Sequence, residues 1–183
     1  MLKKKISLPP SLTNQFIILI GLMGAGKSSL GRRLAAATGL PFKDSDAEVE
    51  KAASSTIQEI FNRYGEAEFR EGEKRVIARL FAEEPSIIAT GGGSFMNNET
   101  RRLIKKKGVS IWLRADLELL HQRTQNRAHR PLLNQGNGRK ILEQLIQERY
   151  PTYAHADIIF DVSDEPAPKS AERLMGALIE YGR

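Results

Sequence analysis

The eight residues Gly21-Leu-Met-Gly-Ala-Gly-Lys-Ser28 constrain this chain most, because they meet the pattern G-x-x-x-x-G-K-[ST] at every required position. Phe16-Ile-Ile-Leu-Ile20 before them is a continuous apolar run, suited to a strand buried on both faces. After them, Leu30, Leu34 and Ala37 recur at helical spacing until Gly39-Leu-Pro41 stops the helix. Gly21, Gly24 and Gly26 let the backbone turn back so that successive N–H groups point inward, and the helix N-terminus adds partial positive charge. Lys27 is placed to reach the β- and γ-phosphates of a nucleotide, and the Ser28 hydroxyl to ligate Mg²⁺. Glycine turns also join strands to helices in proteins that bind nothing. The Lys-Ser pair, flanked by strand and helix, points instead to a phosphate cradle. It says nothing about an acceptor.

The rest of the chain keeps the same alternation. A short strand is expected over 41–44, and helical spacing recurs at Ile57, Ile60 and Phe61 and again through Phe69, Val76, Ile77 and Leu80. A strand over 87–90 is cut off by Gly91-Gly-Gly93. Helices over 99–107, 116–125, 139–150 and 170–181 then alternate with strands over 109–113 and 158–162. This pattern predicts an α/β domain with a parallel sheet and helices on both faces. Residues 124–138 break the rhythm and read as a mobile loop. Residues 1–14 read as a flexible extension ahead of a single domain over 15–183.

Composition excludes some classes. A chain of 183 residues can bury one sizeable core, and no apolar run approaches the roughly 20 residues that span a bilayer. With no cysteine there is neither a disulfide framework nor a thiolate metal site, which fits a reducing cytosol, and a cytoplasmic protein is expected. The net charge of +6 is compatible with nucleic acid, an acidic membrane surface or small anionic ligands. The basic residues are spread along the chain apart from Lys3–Lys5 and Arg101–Lys107, and most simply form a solvated face. A monomer with no nucleic-acid or membrane partner is expected.

Asp44 and Asp46 stand two apart at the end of the second strand, and in extended chain alternate residues face one side. Both carboxylates then point at the cleft above the sheet, where one can hold Mg²⁺ through water and one accept a hydroxyl proton. The alternative is that they are turn or helix-capping acids. The stretch Gly91–Gly93 carries no acid where many nucleotide hydrolases place a metal-supporting aspartate, which leaves Asp44 as the candidate. Asp116 reads better as a helix N-cap. Arg70 and Arg149 are helical arginines that can equally pair with nearby acids such as Glu66. Arg123, Arg127 and Arg130 cluster in or beside the loop, where a closing segment would neutralise phosphoryl-transfer charge and exclude water. His121, His129 and His155 lack metal-ligand spacing, and Trp112 reads as packing.

Six pieces occur in one order: the glycine-lysine motif at 21–28, Asp-Ser-Asp at 44–46, Gly-Glu-Ala-Glu-Phe-Arg at 65–70, Gly-Gly-Gly at 91–93, Arg-Pro-Leu-Leu at 130–133 and Glu-Arg-Tyr-Pro-Thr-Tyr at 148–153. In this the chain resembles the shikimate kinase family from about Phe16 to Val162. The resemblance implies a three-layer α/β/α fold of the P-loop kinase type, with a five-stranded parallel sheet and a mobile lid. It implies transfer of the ATP γ-phosphoryl group to the 3-hydroxyl of shikimate with Mg²⁺. Gly24, Ala25, Gly26, Lys27, Ser28, Ser29, Arg123 and Arg130 would bind ATP, with Ser28 on the metal and Asp44 supporting it through water. Asp46, Arg70, Gly91, Gly92, Gly93 and Arg149 would bind shikimate, the two arginines on its carboxylate. Lys27, Asp46 and Arg130 would be the catalytic residues. A gluconate or nucleoside-monophosphate kinase of similar build is the alternative, and the arginine pair argues for a carboxylate-bearing acceptor. A nucleotide-dependent nucleic-acid-binding protein would draw on the basic charge.

Overall fold

The structure, a computed structural model, describes residues 6–125 and 137–183. Its centre is the apolar run found before the glycine motif. Strand β1 (Phe16–Ile20) is at most 4% exposed at any residue, so it is covered on both faces. The other strands are β2 (Phe42–Asp44), β3 (Ile87–Ala89), β4 (Gly108–Arg114) and β5 (Ile158–Asp161). They form one sheet in the order β2-β3-β1-β4-β5, with every neighbouring pair parallel.

Among the described residues seven α-helices connect and cover it: α1 (Lys27–Thr38), α2 (Ser45–Ala53), α3 (Ile57–Leu80), α4 (Asn98–Lys107), α5 (Leu117–Thr124), α6 (Gly138–Tyr153) and α7 (Ala167–Tyr181). Helices α1 and α7 pack together on one face, while α4 lies on β1 and β4 with α3 beside it. This is the three-layer α/β/α arrangement that the alternation predicts. The connection from β1 leads outward to β2, whereas that from β3 crosses to β4. The two adjacent strands therefore send their chains in opposite directions, and a crevice opens above their carboxyl ends. The glycine motif follows β1 and the glycine triplet follows β3, so both face that crevice.

Local signals explain several boundaries. Thr56 caps α3 in a reciprocal box with Glu59, and the Thr56 backbone and hydroxyl hold the Glu59 carboxyl below its ordinary pKa. Gly65, at φ 80° and ψ 176°, interrupts α3 with a non-helical residue. Asp116 caps α5 through the Leu119 N–H, as its position suggested.

Residues 6–14 correct the expected flexible extension over 1–14. Ile6 N–H bonds the Ala37 carbonyl at 2.8 Å, a short 3-10 turn runs over Pro10–Leu12, and Leu12 is 1% exposed. Ser11 Oγ donates to the Gly182 carbonyl at 2.6 Å. Burial of Leu12 ties the segment to the end of α7, which polar composition alone does not reveal. The expected lid over 124–138 is bounded by helix: α5 ends at Thr124 and α6 opens at Gly138, capped by Asn137. Arg127 and Arg130 lie outside the described residues.

Candidate active site

The crevice is a single cleft of about 1400 Å³, running from the glycine motif across the ends of β1 and β3 to α3 and α6. At one end is the cradle. Gly26 sits at the N-cap of α1 with φ 97°, a left-handed conformation that a side chain strains. The first turn of α1 carries no acidic residue, so nothing in it opposes an anion. Lys27 Nζ folds back to donate to the Gly21 carbonyl at 2.7 Å and the Leu22 carbonyl at 3.1 Å. Arg123, at the end of α5, lies against the cradle: Nη1 is 3.5 Å from the Gly24 carbonyl, and Nη2 donates to the Ser163 carbonyl at 3.1 Å. It thereby joins the glycine turn to the segment after β5. Val162, Glu165 and Ala167 from that segment line the same cleft. No sequence motif marks these residues, and only the fold brings them to the cradle end of the cleft.

Ser28 Oγ donates to Asp44 Oδ2 at 2.8 Å. A hydroxyl and a carboxylate meeting at the mouth of a phosphate cradle are hard oxygen donors of the kind Mg²⁺ takes. Among the described residues no group of three or more His, Cys, Asp or Glu could hold a metal by itself. The Ser28 hydroxyl and Asp44 carboxylate fit Mg²⁺, an ion that takes few protein oxygens and keeps phosphate and water as its other ligands.

Asp46 corrects the geometry expected from the sequence. Asp44 ends β2 in extended conformation and caps α2, accepting from the Asp46 N–H at 3.1 Å. Asp46 is in the first turn of α2 rather than two residues along a strand. Both line the cleft, because the strand-to-helix turn does the work assigned to strand alternation. Asp44 is therefore both a capping acid and a partner of Ser28.

The glycine triplet organises the other end of the cleft. A β-carbon built on Gly91 would lie 2.5 Å from Glu73 Oε1 and 2.6 Å from Asp46 Oδ1. One on Gly92 would lie 3.0 Å from Arg149 Nη1, and one on Gly93 would lie 2.4 Å from Arg70 Nη1. Each missing side chain leaves room for a different charged group. The Gly91 N–H is already bonded to Ser45 Oγ at 3.0 Å, which narrows the expected set of backbone donors for a ligand to Gly92 and Gly93.

Arg70 is held from two sides. It donates to the buried Glu73 at 3.0 Å and to Glu66 at 3.1 Å, so the anticipated pairing with Glu66 is real but is half of the arrangement. Burial works against its charge, and the Glu73 and Glu66 carboxylates more than offset it, raising the guanidinium above its ordinary pKa. Glu73, 2% exposed, also accepts from Ser94 Oγ at 2.7 Å. The sequence does not single it out as a partner of Arg70; the one available signal is its place three residues after Arg70. Arg149 is 7% exposed and its Nε has no hydrogen-bond partner among the described residues. A buried guanidinium N–H without a partner is costly unless a ligand supplies the acceptor. Thr56, Ile57, Gln58 and Phe61 also line the cleft. Arg130 cannot be placed beside these groups, since it lies outside the described residues.

The shikimate kinase family model matches residues 23–179. A shikimate kinase of Paramagnetospirillum magneticum is 57% identical over 165 residues, covering 90% of this chain and 85% of that protein. One from Caulobacter vibrioides is 52% identical over 162 residues, covering 88% and 81%. Among solved structures, a shikimate kinase from Acinetobacter baumannii in complex with shikimate superposes with a TM-score of 0.88 at 34% identity, covering 93% of this chain and 98% of that one.

Proposed function

The chain belongs to the shikimate kinase family and is an ATP-dependent kinase that phosphorylates shikimate, and on that premise we propose how its own residues share the work. The triphosphate lies in the turn Gly24–Gly26, against the N-terminus of α1. Lys27 leaves the Gly21 and Leu22 carbonyls to reach the β- and γ-phosphates. The backbone of Ala25, Ser28 and Ser29 completes the cradle, and Arg123 flanks the adenine. Mg²⁺, held by Ser28 Oγ and through water by Asp44, would neutralise phosphate charge.

At the other end Arg70 and Arg149 take the shikimate carboxylate, which satisfies the buried Arg149 Nε. Gly92 and Gly93 offer backbone N–H groups. Asp46 accepts a hydrogen bond from the 3-hydroxyl and takes its proton as that oxygen bonds to the γ-phosphorus and the bond to the β–γ bridging oxygen breaks, releasing ADP. Because the transition state is loose, positioning and charge neutralisation carry the catalysis. Arg130 is assigned by resemblance to the transferring phosphoryl group.

The observation that carries this reading is the triplet Gly91–Gly93, whose absent side chains make room for Asp46, Arg149 and Arg70. The test is ADP release by purified protein with Mg-ATP, with shikimate set against gluconate, nucleoside monophosphates and shikimate methyl ester. Turnover with shikimate, and little with its ester, is expected. No turnover with shikimate, or equal turnover with the ester, rejects the carboxylate clamp.

A further inference from the structure

Helix α6 carries two tyrosines beside Arg149, and their hydroxyls end on different loops. Tyr150 donates to the Ala115 carbonyl, just after β4, and Tyr153 donates to the Gly92 carbonyl, just after β3. Tyr153 is fully buried in an aromatic cluster with Phe95, Trp112 and Tyr150, at ring-centroid distances of 6.4, 6.0 and 6.1 Å. For that packing alone a phenylalanine would serve. Burying a hydroxyl costs free energy unless its partners repay it, so the oxygen calls for a separate reason.

Its surroundings supply one. The β-carbon position of Gly92 is 3.0 Å from Arg149 Nη1 and 3.8 Å from Tyr153 Oη, so carbonyl, guanidinium and phenol share one small volume. The Arg149 guanidinium also faces the phenol directly. Three consecutive glycines form the backbone with the most conformational freedom to lose, and they have no side chains with which to hold themselves. Ser45 fixes the N–H of Gly91, and Tyr153 fixes the carbonyl of Gly92. In a trans peptide the following N–H points away from the carbonyl, so pinning Gly92 O at Tyr153 aims the Gly93 N–H away from the aromatic floor. Burial pushes the Tyr153 pKa up to about 12, which keeps the proton on the oxygen that must donate it.

We infer that Tyr153 is a positioning residue for the acceptor: its hydroxyl locks the Gly92 peptide and the Arg149 guanidinium into one preassembled carboxylate seat. This rests on the acceptor reading given under Proposed function. Tyr153 touches no reacting atom, and it acts through the two groups it holds.

The experiment compares Tyr153→Phe with Tyr150→Phe, each folded by circular dichroism, using steady-state kinetics and calorimetric binding of shikimate. Tyr153→Phe should weaken shikimate binding and raise its KM about tenfold, with the KM for ATP changed less than about twofold. Tyr150→Phe, whose hydroxyl serves the other loop, should leave the shikimate KM within about twofold. In an Arg149→Ala background, Tyr153→Phe should add little, since the group it positions is gone. An unchanged shikimate KM in Tyr153→Phe, equal rises for both substrates, an equal effect of Tyr150→Phe, or full additivity with Arg149→Ala would each overturn the inference. Wild-type protein inactive on shikimate would overturn the acceptor reading first. Wild-type activity with an unaltered Tyr153→Phe would overturn the tyrosine's role alone.

Discussion

The guanidinium of Arg70 occupies the space that a side chain on Gly93 would fill, with Cζ 2.4 Å from the β-carbon position. One methyl group at residue 93 therefore competes with the arginine rather than with backbone. Because the displaced atoms are the tip of a flexible side chain, Gly93→Ala should fold normally while moving Arg70 off its site. The shikimate KM is expected to rise about a hundredfold with the ATP KM nearly unchanged, as for Arg70→Ala. The double variant should be no worse than either single one, and kinetics of the three proteins check this. Independent, additive losses would mean that Gly93 acts by another route.

Glu73 is the counterpart that keeps Arg70 turned inward. Glu73→Gln keeps the shape but not the charge, so the Arg70 and Ser94 contacts lose their ionic component. A stability loss of about 1–3 kcal/mol by urea unfolding is expected, together with a roughly tenfold rise in shikimate KM. A variant that loses stability but binds shikimate normally would make Glu73 a core residue only.

Asp44 has two duties that one substitution separates. Asparagine caps a helix about as well as aspartate, so Asp44→Asn should leave α2 and the melting temperature almost unaltered. It removes the charge beside Ser28, and the Mg²⁺ concentration giving half-maximal activity should rise at least about tenfold. A Mg²⁺ titration at fixed ATP is the measurement. An unchanged requirement would leave Asp44 as a cap alone.

Alkaline unfolding should be governed in part by Tyr150 and Tyr153. Burial pushes both pKa values up to about 12, while in the unfolded chain a phenol titrates near 10. The unfolded state therefore loses protons first, and the stability linked to the protonated phenols is fully present below about pH 10 and is lost as pH rises towards 12. Urea unfolding at pH 8–11 should show this fall, and each Tyr→Phe change should make it shallower. An identical slope in the variants would contradict it.

Much of this architecture could be read in the residues. The run Phe16–Ile20 and the glycine motif define β1, the cradle and α1, because a continuous apolar run followed by glycines has few structural outcomes. Asp116 as a cap and Trp112 as packing follow from local rules. Relationships created by chain crossings were not legible. Ser45 looks like a polar linker between two acids, and only the parallel pairing of β2 with β3 puts it on the Gly91 N–H. Glu73 looks like one of many helical acids until the fold buries it. Residues 6–14 look loose in the sequence because one leucine carries little weight beside the charged residues near the N-terminus, and only the fold buries it.

That N-terminal segment also has a topological consequence. Helix α1 starts at the cleft, near its other end Ile6 bonds Ala37, and Ser11 of the same segment bonds Gly182. The first and last described segments of the chain are thus stitched together near the C-terminal end of α1, away from the cradle at its N-terminus. A fusion partner or surface tether attached at either end would leave the mouth of the enzyme open.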